Sequence, residues 1–471
     1  MPVRSFALTS LSALALSACA AGPDYVAPVP PPQATSGPFL SAEDGVVAPT
    51  PLPTDWWRLY DDEVLDGFVE DALAANTDIR QATARIARAR AGLRGARADR
   101  LPQTGIEAGG NYGRVPESAV PAGADRDGST FDVGLSVSYE LDLFGRVGRG
   151  VEAARADLES AQADADAVRV MVVADTTRAY ADAASAAARL AVAEEIVALL
   201  DDSLRLTRRR HEAGLESGLA VAQIETLREQ RASSIPAITA EREAALFALA
   251  TLTGRTPAEL PQIAAERSVA LEITDPLPVG DGAALLARRP DIRAAERRLA
   301  ADTARIGVAT ADLYPRITLG GSVGATGPSL GDLFTGGPLR FLFGSLINWA
   351  FPNNEPVRAR IDAAEAGADE SLAAFDGAVL VALQETETAL SAYARSLEQR
   401  RSLQSAKDAA ERAARITRAR QREGIVNSLE TLDAERTLAE ATAQLADQDA
   451  LISRRQIDVF RALGGGWQGT A

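Results

Sequence analysis

Few residues in this chain could do covalent chemistry. One cysteine, Cys19, and one histidine, His211, stand among 471 residues, so disulfides and cysteine-rich metal sites are excluded by arithmetic. No nucleophile–base pair or metal constellation is visible, and we expect no catalysis, no metal and no cofactor. His211 has nothing to pair with in the sequence and reads as a surface residue rather than a sensor. What the chain does carry is patterned charge. Glu430 and Asp433 lie three residues apart on one face of a helical stretch. Asp132, Glu140 and Asp142 fall on the polar side of an alternating stretch. Carboxylates placed in this way bind nothing covalently; at a constriction they attract cations and repel anions.

The elements that must position them follow from composition and period. Aromatic residues make up only 5% of the chain, while alanine and arginine recur along most of it, which suits long helices meeting through small side chains. The formal charge is -16, so a nucleic-acid partner is not expected.

Residues 1-18 read as a secretory signal peptide: Arg4, the apolar run Phe6 to Leu16, then Ser17 and Ala18. Leu16-Ser17-Ala18-Cys19 resembles the bacterial lipoprotein cleavage box, which would make Cys19 the acylated first residue of the mature chain. Ala20 stands where a retention aspartate would hold a lipoprotein in the inner membrane, so the outer membrane is expected. Residues 19-60 form a proline-rich strap that includes Pro30-Pro31-Pro32.

Two stretches in each half change period from helical to alternating. Phe131, Val133, Leu135, Val137 and Tyr139 alternate with Asp132, Gly134, Ser136, Ser138 and Glu140, and the stretch is expected to be a strand over about 130-142. A weaker partner covers about 103-113, across a polar Gly/Pro-rich loop. The same pair returns at about 316-325 and 339-350. Strands of this length with one oily and one wet face fit an outer-membrane barrel.

Between the strand pairs the helical pattern is long. Residues 151-213 would span about 95 Å, more than a globular domain can hold. Gly214 ends that stretch and a returning helix is expected over 219-253. In the second half the counterparts are 356-423, Gly424 and 429-463. Asp78-Ile79-Arg80 recurs as Asp291-Ile292-Arg293, and Pro102 as Pro315. We therefore divide the chain into a first repeat, 61-256, a linker, 257-282, a second repeat, 283-463, and a tail, 464-471.

Four strands cannot close a barrel in lipid, so the barrel must be shared between chains. Two chains give eight strands and a filled lumen; three give twelve and room for water. The wet faces carrying Asp132, Glu140 and Asp142 favour three. The fold class expected is mixed α and β: a long coiled-coil α-barrel continuous with a transmembrane β-barrel, four strands per chain.

The lipobox at Cys19, Gly22-Pro23-Asp24-Tyr25, Trp56-Trp57, Tyr139-Glu140-Leu141-Asp142-Leu143-Phe144-Gly145-Arg146, Arg288-Arg289-Pro290-Asp291-Ile292 and Ala462-Leu463-Gly464-Gly465-Gly466-Trp467 come in an ordered set. Together they resemble the TolC-like, NodT-type outer-membrane efflux lipoproteins over essentially the whole mature chain. The resemblance implies a homotrimer in outer-membrane lipid. It implies passive export of small molecules handed on by a periplasmic adaptor protein and an inner-membrane resistance-nodulation-division transporter.

The resemblance also assigns roles. Glu430 and Asp433 take the positions of acids that narrow the closed periplasmic end. The first tip has Ala220 and Gln223 there, so only the second hairpin is expected to gate. A solvated first turn of a helix is the competing account of those acids. Gly214 with Leu219, and Gly424 with Leu429, resemble adaptor-docking tips. Gln421 and Asn427 replace a tyrosine and an arginine that often latch the second tip. The arginines beside both tips, Arg208 to Arg210 and Arg418, Arg420 and Arg422, are read as a solvated face or an adaptor contact. Two other readings stay open: the duct of a type I protein-secretion system, and a trimeric coiled-coil spacer.

Overall fold

In a computed structural model the described residues are 20–29, 38–116, 118, 121, 123, 125–335, 339–426 and 428–467. The signal peptide, Cys19, Pro30-Pro31-Pro32 and Asn427 lie outside them. The chain divides into two compact units. One takes Arg85–Gln162 and Ala294–Phe375 with the N-terminal stretch to Val29; the other takes Pro30–Ala84, Ala163–Arg293 and Asp376–Ala471.

The first unit holds one antiparallel sheet of four strands: β1 (Gln103–Arg114), β2 (Asp127–Leu141), β3 (Arg316–Gly327) and β4 (Leu339–Asn348), in that spatial order. The central pairing, β2 with β3, joins the two halves of the sequence, with Leu135 opposite Val323 and Asp132 opposite Thr326. Because the register keeps each face intact, Ile106, Leu135, Val323 and Phe341 share one row of the apolar face. The opposite face is polar and glycine-rich: Glu107, Gly134 and Gly324 lie in one row and end at Arg340. Phe341 and Phe343 stay more than four-fifths exposed, as expected of a surface that faces lipid rather than water. At one end of the sheet, aromatic pairs stack: Phe144 on Tyr314 at 4.4 Å and Trp349 on Phe351 at 4.8 Å.

Nine α-helices connect and extend these strands among the described residues. The first two, α1 (Glu63–Ala75) and α2 (Thr77–Ala98), break at Asn76, whose side chain accepts from the amides of Asp78 and Ile79. The long helices are α3 (Arg146–Glu212) and α8 (Glu355–Arg422), of 67 and 68 residues. At 1.5 Å per residue each is about 100 Å long. α3 begins at Arg146 rather than at the expected Val151, because Gly145 turns with φ +79° and Asp142 caps the new N-terminus. Between these lie α6 (Gly282–Arg288) and α7 (Pro290–Ala311).

The returning helix expected over 219-253 is two helices, α4 (Gly218–Ala232) and α5 (Ser234–Leu252). Pro236 explains the break: it has no amide to offer Ala232 and its ring crowds that carbonyl. Ser233 and Ser234 turn their hydroxyls back to the carbonyls of Gln230 and Arg231 at 2.7 Å each, hydrogen bonds that hold the chain at the break. The second returning helix, α9 (Ser428–Ala462), has no proline and is continuous.

The core of the second unit sits where the strap, α1, α3, α8 and α9 meet. Trp56, fully buried, stacks on Phe460 at 4.6 Å, and Gly465 leaves no room for a Cβ beside that indole. Truncating such a ring to alanine costs on the order of 3–5 kcal/mol. Elsewhere the buried positions are small: Ala163, Ala174, Ala181, Ala183 and Ala184 on α3 allow close helix approach. The strap is tied down as well, since Val47–Ala48 pairs in parallel with Leu277–Pro278.

Candidate channel site

The second tip is built by the end of one helix and the start of the next. α8 stops because Gly424 takes φ +75°, and Ile425 donates its amide back to the Arg420 carbonyl at 2.9 Å. The first tip repeats the device, with Gly214 at φ +74° and Leu215 bonded to the Arg210 carbonyl at 2.8 Å. Here Ser217 caps α4, and His211 donates its ring Nδ1–H to the Glu216 carbonyl at 2.8 Å, so the histidine fastens the turn.

An ion pair spans each hairpin. Arg418 Nε donates to Glu435 Oε1 at 3.1 Å, and Arg208 reaches Glu225 at the matching place in the first repeat. Glu435 is nearly buried and also accepts from Ser203 Oγ at 2.8 Å, which ties α3 to the second hairpin. Arg418 is therefore structural, while Arg208, more than half exposed, keeps the solvated character expected of the arginine clusters. The signal was in the sequence as an arginine and a glutamate at equal spacing in both repeats.

Asp433 is exposed and meets Arg436 of its own helix at 2.9 Å. Glu430 lies in the first turn of α9, where the helix dipole favours an acid. Leu219 and Leu429, both exposed, line one groove of about 500 Å³ between α4 and α9, with Leu432, Gln223, Asp433 and Arg436 among its other lining residues. The structure thus brings together a leucine from each tip and one of the two acids.

On the wet face of the sheet, Asp132 does not stand free. It accepts from Arg340 Nη2 at 2.6 Å and from Thr326 Oγ1 at 3.0 Å, a link across β2, β3 and β4. Glu140 accepts from Arg146 Nε and Nη2, at 2.8 and 2.6 Å, with Arg316 nearby. Asp142 departs from the expectation. β2 ends at Leu141, and the two Asp142 oxygens accept from the amides of Val147 and Gly148 at 2.9 and 2.7 Å. It is a helix cap rather than a strand residue, because a carboxylate placed before a helix start satisfies free amides and its dipole together.

The residues after Cys19 are clamped rather than loose. Ala21 donates its amide to the Phe144 carbonyl at 3.0 Å, and Arg149 holds Asp24 at 2.6 Å. The Tyr25 hydroxyl donates to Glu296 at 2.6 Å, under the Arg297 guanidinium. Gly22, at φ +83°, faces Gly307 so closely that a Cβ on Gly22 would lie 2.5 Å from the Gly307 Cα.

No helix among the described residues is long and apolar enough to cross a membrane. The same residues group no three of His, Cys, Asp and Glu for a metal.

Comparison with known proteins places these features. The profile of the family described as outer membrane efflux protein matches residues 68–255 and 283–465. Outer membrane protein OprJ of Pseudomonas aeruginosa is 32% identical over 97% of this chain and 95% of its own. The antibiotic efflux pump outer membrane protein ArpC of Pseudomonas putida is 31% identical over 98% and 96%. The solved structure of the outer-membrane channel OprN superposes with a TM-score of 0.89 at 35% identity, covering 96% of this chain and all of that one. Of these relatives, ArpC is named as the outer membrane protein of an efflux pump and OprN as an outer-membrane channel. With four amphipathic strands, paired helical hairpins and this coverage, the chain belongs to the outer membrane efflux protein family and is an outer-membrane export channel.

Proposed function

We propose that the chain acts as a homotrimer in which three sheets close one twelve-stranded barrel through the free edges of β1 and β4. In this reading it conducts small molecules passively, taking them from a periplasmic adaptor protein and an inner-membrane resistance-nodulation-division transporter that supplies the energy. Antibiotic efflux, named for ArpC, is the kind of cargo we assign to it. Residues 1-18 are removed, and Cys19 carries acyl chains in outer-membrane lipid, each buried methylene adding about 0.8 kcal/mol of anchorage.

The observation that carries this reading is the groove shared by Leu219, Leu429 and Asp433. It supports docking of the adaptor on the tips at Gly214, Leu219, Gly424 and Leu429, beside the gate it must open. Glu430 and Asp433 from three copies form acidic rings at the closed end. Asp132 and Glu140 face the lumen; Asp142, used up as a cap, is left out of that set.

Single-channel recording in planar bilayers tests the gate. Asp433→Asn with Glu430→Gln is expected to weaken cation selectivity and cation block, and traces identical to the parent would sink the acidic ring. A bulky residue at Leu429 is expected to abolish drug efflux in cells while leaving the trimer intact, so unchanged susceptibility would remove the docking role.

A further inference from the structure

On the apolar face of the sheet, two aromatic side chains cover a glycine that lies directly opposite them on the next strand. Phe131 is paired with Gly110, and a Cβ on Gly110 would be 3.0 Å from its ring; Phe343 is paired with Gly321, with the same distance 3.4 Å. Covering a strand glycine in this way restores packing that the missing side chain gave up.

The wet face has knobs and holes that do not meet within the chain. β4 carries Leu342 and Leu346 on its otherwise polar face, 71% and 68% exposed. Their neighbours on β3 are Ser322 and Thr318 rather than glycines. β1 carries Gly105, Gly109 and Gly113 on that same face. Gly109 and Gly113 have nothing within 4 Å of a built Cβ, and Gly105 has only the Ser136 hydroxyl. The leucines and the first two glycines have equal spacing, and they lie on the two open edges of the sheet.

We propose that the seam between copies is keyed in one register, with Leu342 over Gly109 of the partner subunit and Leu346 over Gly105 of the partner subunit. This rests on the trimeric barrel proposed above. An antiparallel seam must keep the apolar face continuous, since a one-residue slip would turn lipid-facing side chains inward. Only two registers do so while pairing all ten residues of β4 within β1. One sets Asn348 opposite Gln103 and seats both leucines on glycines. The other is slipped by two and sets Leu342 opposite Asn111 and Leu346 opposite Glu107, which presses apolar side chains on an amide and a carboxylate. The occupant is therefore a second copy of this chain, and the leucines select its register.

Cysteine cross-linking in native outer membranes tests this. Within one chain, Leu342 and Gly109 are three strands apart, about 14 Å at the usual strand spacing, so a disulfide between them must join two copies. With oxidant, chains carrying Leu342→Cys with Gly109→Cys are expected to run as covalent dimers and trimers. Asn348→Cys with Gln103→Cys should do the same without touching a leucine or a glycine. Linking of Leu342→Cys with Asn111→Cys instead, with the trimer intact, would overturn the register and leave the trimer standing. Absence of every cross-link together with a monomeric parent protein in detergent would overturn the trimeric reading itself. Leu342→Ser with Leu346→Ser is expected to lower the temperature at which the detergent-resistant oligomer dissociates; an unchanged temperature would show that the leucines do not key the seam.

Discussion

Arg418 and Glu435 close the second hairpin with a 3.1 Å bond, and Glu435, nearly buried, takes a second bond from Ser203 on α3. The equivalent pair at the first tip, Arg208 with Glu225, is about half exposed on both sides. The same residues at the same spacing therefore do unequal work.

That inequality predicts unequal mutants. Glu435→Ala strands Arg418 and the Ser203 hydroxyl in a partly buried place, where an unsatisfied partner costs about 1–3 kcal/mol. Loosening of this hairpin should raise the open probability of reconstituted channels. Glu225→Ala removes an exposed pair and should cost about 0–1 kcal/mol with no change in gating. Thermal denaturation of both proteins, with single-channel recordings, checks the contrast; equal effects would contradict it.

Arg340 is the counter-ion of Asp132 on the wet face. In Arg340→Ala that carboxylate loses its cation and its charge turns to the lumen. Reversal potentials in a salt gradient should move toward greater cation selectivity, and adding Asp132→Asn should cancel the move.

Much of this was legible in the sequence because the signals are periodic. Strand alternation, two glycine tips and the doubled plan read directly from Phe131 to Tyr139 and from Gly214 against Gly424. What escaped was pairing across distance. Asp142 has the same parity as Glu140, and only the turn at Gly145 decides that it caps a helix instead of facing a lumen. Pro236 does carry a local signal, a missing amide inside a helical pattern, but the helical pattern runs on unbroken to either side of it. The partners of Asp132 and Asp433, namely Arg340 and Arg436, were present as letters without a contact to give them meaning.

The alkaline limb of stability should report buried phenols. Burial pushes Tyr180 up, with the Asp62 carboxylate beside it, and burial pushes Tyr60 and Tyr393 up as well. A folded-state pKa above the unfolded value near 10 means that the contribution is intact below about pH 10 and is lost as pH rises through the folded values. Lys407 is the only lysine against seven tyrosines, so little else titrates there. Melting temperatures should fall above about pH 10, and the fall should be shallower in Tyr60→Phe with Tyr180→Phe.

The contact between Gly22 and Gly307 leads to a prediction about the anchor. A side chain on Gly307 would meet the Ala21 carbonyl at 2.9 Å and the Arg149 side chain at 2.8 Å, so backbone and clamp must both give way. Gly307→Val should therefore expel the Ala20–Tyr25 peptide and break the bonds from Arg149 to Asp24 and from Tyr25 to Glu296. The change is local, because those bonds tie the N-terminal peptide to α3 and α7 and not the strands to one another. With Cys19 acylated as proposed, membrane attachment should persist, while a protease that leaves the parent intact should now cut near Asp24. Gly22→Val, strained further by φ +83°, should give the same cleavage pattern. Gly307→Ala is the graded control, since one methyl against the flexible Arg149 chain should loosen the peptide less. If limited proteolysis finds the N-terminal peptide as protected in Gly307→Val as in the parent, the clamp does not hold it.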